Sequence, residues 1–521
     1  MKNLITALTL LIGFTMIVPA QSNEQKIVSQ QSFNDKSQVI SSSFDSKYTQ
    51  QAFIKASNTN ASDTFGLEMA LSEDTLVILA PNEASNATGV NGDENDNSKL
   101  ASGAAYVFVR EDDTWTQQAY LKASNSDEFD RFGSAVVIEG DIIAIGARTE
   151  DSTSIGINGD QSDNSINSSG AVYVFTRSGN TWEQEAYIKA SNTGENDFFG
   201  SSLALSGNTL IVGASQESSS SAGVNGDEDN DLLPRAGAAY IFVRENEQWT
   251  QQAYLKASNP SEADFFGAEV AIDGDTVAIS APNEDSNAQG INGDQNNESM
   301  TDAGAVYMFT RTGTQWSQEA YIKASNTDAA DIFGNKIALV GDTLAVGAVR
   351  EDSDSAGING DQNNNNSSAS GAVYILTRTN GIWSHDTYIK ASNPDASDGF
   401  GGSVSMSADK LLVGATVESS SARGIDGPDN NFRSRSGAAY LFTLDQGNWV
   451  QQHYIKASNT GVDDFFGWKT AISGNVFVVS APFEASIDTG VNGGPGNTNS
   501  FFESGAAYLF IDDAIFFHGF E

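Results

Sequence analysis

The pair Phe-Gly recurs at Phe65, Phe132, Phe199, Phe266, Phe333, Phe400 and Phe466, at steps of 67 residues five times and then 66. The same register carries G-A-[AV]-Y, starting at Gly103, Gly170, Gly237, Gly304, Gly371, Gly437 and Gly505. It also carries a Glu behind an apolar run, at Glu83, Glu150, Glu217, Glu284, Glu351, Glu418 and Glu484. A fixed period of this kind means one supersecondary unit copied seven times, each burying its apolar faces on its neighbours.

Each unit reads as four short strands. In the third, F-G-S-S-L-A-L-S (199–206) runs through the tight turn S-G-N-T into the apolar L-I-V-G-A (210–214). Gly followed by Asn or Asp suits a two-residue type II′ hairpin. A polar loop follows, of about twenty residues, a length that usually signals function or disorder. The strands G-A-A-Y-I-F-V-R (237–244) and W-T-Q-Q-A-Y-L-K-A-S (249–258) complete the unit. No stretch shows helical periodicity or capping signals. Four antiparallel strands repeated seven times predict an all-β, seven-bladed β-propeller. An open solenoid of the same units is the alternative, and a fixed count with incomplete ends favours the ring.

The ends sharpen that expectation. Y-T-Q-Q-A-F-I-K-A-S-N (48–58) is a fourth strand with no unit ahead of it, in register with W-T-Q-Q-A-Y-L-K-A-S-N (115–125). The seventh unit stops after its third strand, G-A-A-Y-L-F-I (505–511). The N-terminal segment is therefore expected to complete blade seven and close the ring, giving a propeller over residues 48–511. Residues 1–20 carry a charged start, an apolar run and V-P-A, which reads as a secretory signal peptide. Residues 21–47 read as a polar linker, and 512–521 as a tail. No segment behind the leader approaches the ~18 apolar residues of a membrane span, so an exported destination (secreted, periplasmic or cell-surface) is expected.

Lys and Arg number 27 against 68 Asp and Glu, a formal net charge of -41. Such a chain repels phosphate backbones and anionic lipid, which argues against nucleic acid and acidic membranes as partners. Cations, extracellular proteins and neutral glycans stay open, and an acidic surface also serves plain solubility. Cysteine is absent, so an exported chain must be held by core burial rather than disulfides.

The units resemble FG-GAP repeats, named for Phe-Gly and for the Gly-Ala-Pro that ends the second strand. Here that ending stands as A-P-N-E (80–83 and 281–284), A-P-F-E (481–484), and G-A-S, G-A-R, G-A-V or G-A-T elsewhere. The family includes the seven-bladed head of integrin α subunits and exported bacterial proteins. The resemblance, which covers about residues 48–511, implies a propeller used for binding, expected as a monomer. The integrin-type calcium loop would lie between the Phe-Gly and Gly-Ala-Pro strands, where this chain has only a short hairpin, so those sites do not carry over. The tail I-F-F-H-G-F-E (515–521) resembles short endings of exported bacterial proteins.

The long loops share G-[VI]-N-G-D followed by alternating carboxylates and amides, the oxygen ligands a hard cation prefers. Asp227-x-Asp229-x-Asp231 is the best candidate for Ca²⁺, with Asp93-x-Asn95-x-Asn97 and Asp361-x-Asn363-x-Asn365 behind it. Asn-Gly-Asp is equally ordinary turn chemistry. Strand direction puts these loops on one acidic face with the fourth-to-first connections, where Asp63, Asp130, Asp197, Asp264, Asp331, Asp398 and Asp464 each precede the Phe by two. The opposite face carries short turns opened by Arg110, Arg177, Arg244, Arg311 and Arg378. Seven Lys (Lys55, Lys122, Lys189, Lys256, Lys323, Lys390, Lys456) are expected to pair with the seven Glu beneath the loops, or else to lie solvated along strand edges. Residues that break the pattern, Arg235, Arg423, Arg433, Arg435 and Trp468, mark a candidate ligand spot. Catalysis needs a local asymmetric set of nucleophile, base and charge stabiliser. With no Cys, three His and acids that recur in series, a non-enzymatic binding or adhesion module is expected. A secreted hydrolase on a propeller scaffold and a passive matrix protein are the alternatives.

Overall fold

The structure, a computed structural model, describes residues 48–494 and 501–512; the expected signal peptide, linker and most of the C-terminal tail lie outside them. The described chain is all-β, with strands in seven antiparallel sheets. Blade three shows the plan: Phe199–Ser206, Thr209–Ala214, Ala238–Glu245 and Gln248–Leu255, hydrogen-bonded in chain order. The second strand is buried along its whole length, as its run of Leu, Ile and Val implies. Blade six adds a two-residue edge strand, Gly424–Ile425.

First strands of successive blades lie against one another all the way round, and that of blade seven meets that of blade one. They therefore line the axis, and the fourth strands form the rim. Between blades the core is aromatic. Phe199 packs edge-on against Tyr240 and Phe242, at 5.3 and 6.1 Å between ring centroids, and Tyr240 lies tilted against Tyr254 at 5.3 Å. Edge-to-face rings of this kind add roughly 0.5–1.5 kcal/mol each beyond area burial. Close approach at the junctions depends on glycine. Gly237 has φ +81°, and a Cβ there would stand 2.0 Å from the Phe266 carbonyl oxygen of the next blade.

The strand Tyr48–Ile54 pairs antiparallel with Ala506–Asp512, Tyr48 opposite Asp512 and Ile54 opposite Ala507. Its blade reads Thr470–Ser473, Val476–Ala481, Ala506–Asp512, Tyr48–Ile54. It also meets blade one in the manner of any fourth strand. Trp115 Nε1 donates to Gln51 Oε1 at 3.0 Å, as Trp182 does to Gln118 and Trp316 to Gln252.

The Arg-opened turns on the short-loop face are stacked rather than free. Arg110, Arg177, Arg311 and Arg378 lie over the Trp of the same hairpin, 5.0 to 5.9 Å from the ring. Each also donates from Nε to an Asp of the first hairpin. Arg244 pairs instead with Glu185 of the preceding blade.

Candidate functional site: the long-loop face and the axial lip

The long loops are ordered onto the rim. Asn225 adopts φ 53°, its N–H donates to the Tyr254 carbonyl at 2.8 Å, and its Oδ1 accepts from Tyr254 N at 2.9 Å. Asn91, Asn158, Asn292 and Asn359 repeat this geometry. Asn-Gly-Asp thus satisfies the fourth strand's otherwise open backbone groups, the usual liability of an edge strand. The loop length that suggested function or disorder is in good part edge protection.

The candidate calcium residues all lie exposed on these loops. Asp227, Asp93 and Asp361 each turn Oδ1 back on the backbone N–H two residues on, at 3.2, 3.0 and 3.0 Å. Asn365 reaches sideways to Asp328 at 3.0 Å, and Asn97 accepts from Asn60 at 3.4 Å. Among the described residues no group of three or more His, Cys, Asp or Glu is gathered as a metal cage.

Beneath the loops the seven Lys–Glu pairs form, at 2.5 to 2.9 Å, and are buried. The reading of these Lys as solvated edge residues is incorrect: each is 0 % exposed. Burial pulls their ammonium pKa down, against the attraction of the partner Glu. The seven Asp before Phe-Gly are buried too, each accepting from the N–H three residues earlier, as Asp264 does from Ser261 at 2.9 Å. Burial pushes Asp264 and Asp331 up to about 8 and the other five to about 7.

Sevenfold sameness ends at the axis. The residue before each Phe-Gly has positive φ: Thr64, Arg131, Phe198, Phe265, Ile332, Gly399 and Phe465. Left-handed backbone at a β-branched residue such as Ile332 is strained and persists only where the surroundings impose it. Here its N–H is held by the carbonyl of Asp302, and that of Phe465 by Arg435. These turns place a varied ring of side chains at the long-loop end of the axis, the axial lip. Sequence reasoning passed over them because only the invariant Phe-Gly was read; variation just before an invariant pair was the available signal.

On blade seven the lip is aromatic. Phe465, Trp468 and Phe483 meet with ring centroids 5.2 to 6.2 Å apart, and Arg435 stands 5.6 Å over Phe465 while pairing with Asp463 at 2.7 Å. Arg235 stands over Phe265 at 5.6 Å and Arg148 over Phe198 at 5.7 Å. Below the lip, Lys469 of blade seven pairs with Glu68 of blade one at 2.6 Å, and Lys336 of blade five with Glu269 of blade four. Glu68 and Glu269 together lift the Lys469 pKa in spite of its burial. Of the pattern-breaking residues, Arg235, Arg435 and Trp468 thus reach the lip. Arg433 lies beside it, donating to the Thr460 carbonyl at 2.8 Å. Arg423 sits apart, one residue before the rim strand Gly424–Ile425.

The fold and its sevenfold Phe-Gly register define the class, a seven-bladed propeller. The FG-GAP repeat pattern matches seven times, over residues 48–108, 115–175, 182–242, 249–309, 316–376, 383–442 and 449–510, and the chain belongs to that family. No curated protein matches the sequence. Among solved structures, a Bacteroides uniformis protein described as a candidate 6-phosphogluconolactonase is similar at 11% identity and TM-score 0.41, covering 75% of this chain and 86% of its own.

Proposed function

We propose that this chain is an exported or cell-surface binding module that engages an extracellular protein or glycan at the axial lip of its long-loop face. The observation that carries the reading is the cluster of Phe465, Trp468 and Phe483 beside Arg435. Aromatic side chains and Arg dominate the energetics of recognition surfaces. This cluster stands where a ring otherwise built by repetition abandons its pattern, on a face whose remaining surface is acidic and polar. Chemistry at the lip is limited to contact: stacking on aromatic faces and hydrogen bonding from guanidinium groups. Calcium assistance enters through the loops at Asp227, Asp93 and Asp361.

Glycan and protein arrays probed with the wild-type chain and with Trp468→Ala test the reading. Loss of a half-buried aromatic anchor should weaken binding by about 2 kcal/mol, roughly thirtyfold, with the chain still folded. A Trp468→Ala chain that binds as wild type does sinks the lip as the site. Binding and melting that ignore a chelator remove calcium from the reading.

A further inference from the structure

The buried Lys–Glu pairs have a third member. In blade one, Lys122 Nζ donates to Glu83 Oε2 at 2.9 Å, while Asn58 Nδ2 donates to Oε1 of the same carboxylate at 3.2 Å. Tyr106 donates its hydroxyl to Asn58 Oδ1 at 2.5 Å. The same four residues recur in register. Lys189, Glu150, Asn125 and Tyr173 form one set, and Lys256, Glu217, Asn192 and Tyr240 the next. Lys323, Glu284, Asn259 and Tyr307 follow, then Lys390, Glu351, Asn326 and Tyr374. Lys55, Glu484, Asn459 and Tyr508 make the sixth. Blade six departs: Tyr440 donates to Asn393 at 2.8 Å and Lys456 pairs with Glu418, but Asn393 makes no bond to that carboxylate among the described residues.

We propose that the six complete sets are cross-linking sites, in which the Lys amine condenses with the Asn side-chain amide to give an intramolecular isopeptide bond. One carboxylate holds both reacting groups, the amine on one oxygen and the amide on the other. The carboxylate takes one proton from the ammonium, which frees the Nζ lone pair to attack the Asn Cγ. The Tyr hydroxyl donates to the amide oxygen on which negative charge develops, the role of an oxyanion donor. The carboxyl group then protonates the departing Nδ2, and Nζ returns its second proton to the carboxylate. One C–N bond forms and one breaks. Lys ammonium, Asn amide and Glu carboxylate become the isopeptide, ammonia and a neutral Glu acid, with no oxidant, reductant or cofactor. A dry site favours the step, because burial already draws the Lys toward its neutral form. Holding amine and amide on one carboxylate also converts a bimolecular encounter into an intramolecular one.

The pattern has a structural reason. Each Asn ends the fourth strand of one blade, and each Lys ends that of the next. The bond at Asn58 and Lys122 would therefore tie blade seven's N-terminal strand to blade one, and that at Asn459 and Lys55 would tie it to blade six. A chain without Cys would gain covalent blade-to-blade links in place of disulfides.

The test is peptide mass mapping of the purified full-length protein after denaturation and proteolysis. Six linked peptide pairs are expected, each lighter than its two free peptides together by one ammonia. One should contain Asn58 with Lys122, and none should join Asn393 to Lys456. Glu83→Gln, which cannot take the proton, should lose the 58–122 link alone and keep the other five. Recovery of all six Lys in unlinked peptides from the wild-type protein overturns the proposal, and this readout does not depend on how any variant folds.

Discussion

Lys456 and Glu418, in the blade without a complete cross-linking set, meet 2.5 Å apart with almost no exposed side-chain surface on either, and a buried pair of that kind is fragile in a particular way. Removing one partner strands a charge, at about 3–5 kcal/mol, whereas replacing both by apolar groups of similar volume is often near neutral. Lys456→Ala should therefore destabilise by that order in a denaturant titration, and the double change Lys456→Met with Glu418→Leu should restore most of the loss. The buried Asp ring gives a second expectation at this scale. Asp264 titrates near 8 in the fold and about 4 when unfolded, so between those values the native state binds the extra proton. Its contribution is fully present below about pH 4 and is lost as pH rises through 8. Melting temperature should fall between pH 5 and 8.5, and Asp264→Asn, which keeps the acceptor for Ser261, should flatten that slope. Both series were legible in the sequence as positions. Their burial was not, because Lys and Asp read as surface letters until the strand ends that enclose them are placed.

The strand Tyr48–Ile54 contributes a full ladder to its neighbour and the Gln51 partner of Trp115. Deleting residues 48–58 should leave blade seven with an open edge and lower the melting transition by tens of degrees; a transition unmoved by the deletion would show that the strand carries no stability. At the blade junctions, Gly237→Ala should cost at least ~2 kcal/mol, since left-handed φ alone is worth about 1–2 and the Phe266 carbonyl blocks the new methyl. Strand order could be read from period and hairpin chemistry alone. In the long loops alternating oxygens describe a cation loop and an edge cap equally well. The position of Asn225 opposite Tyr254 shows the edge cap, which no sequence pattern announced.

For the whole molecule, repetition and its failure predict different stoichiometries. A ligand read by the repeated loops would bind several times per ring; one read by the lip around Trp468 should bind once, and isothermal titration counts the difference. The pattern-breaking Arg and Trp were visible in the sequence one by one. Their convergence was not, since Arg435 and Phe483 come together only through the path of the blade. The pairing of Tyr48–Ile54 with Ala506–Asp512 also has a consequence in time. During synthesis the strand Tyr48–Ile54 is made long before its ladder partner Ala506–Asp512, so no unfinished chain can join the seam. Contacts of such long range are slow to form, and until the last strand arrives the growing polypeptide stays an open arc.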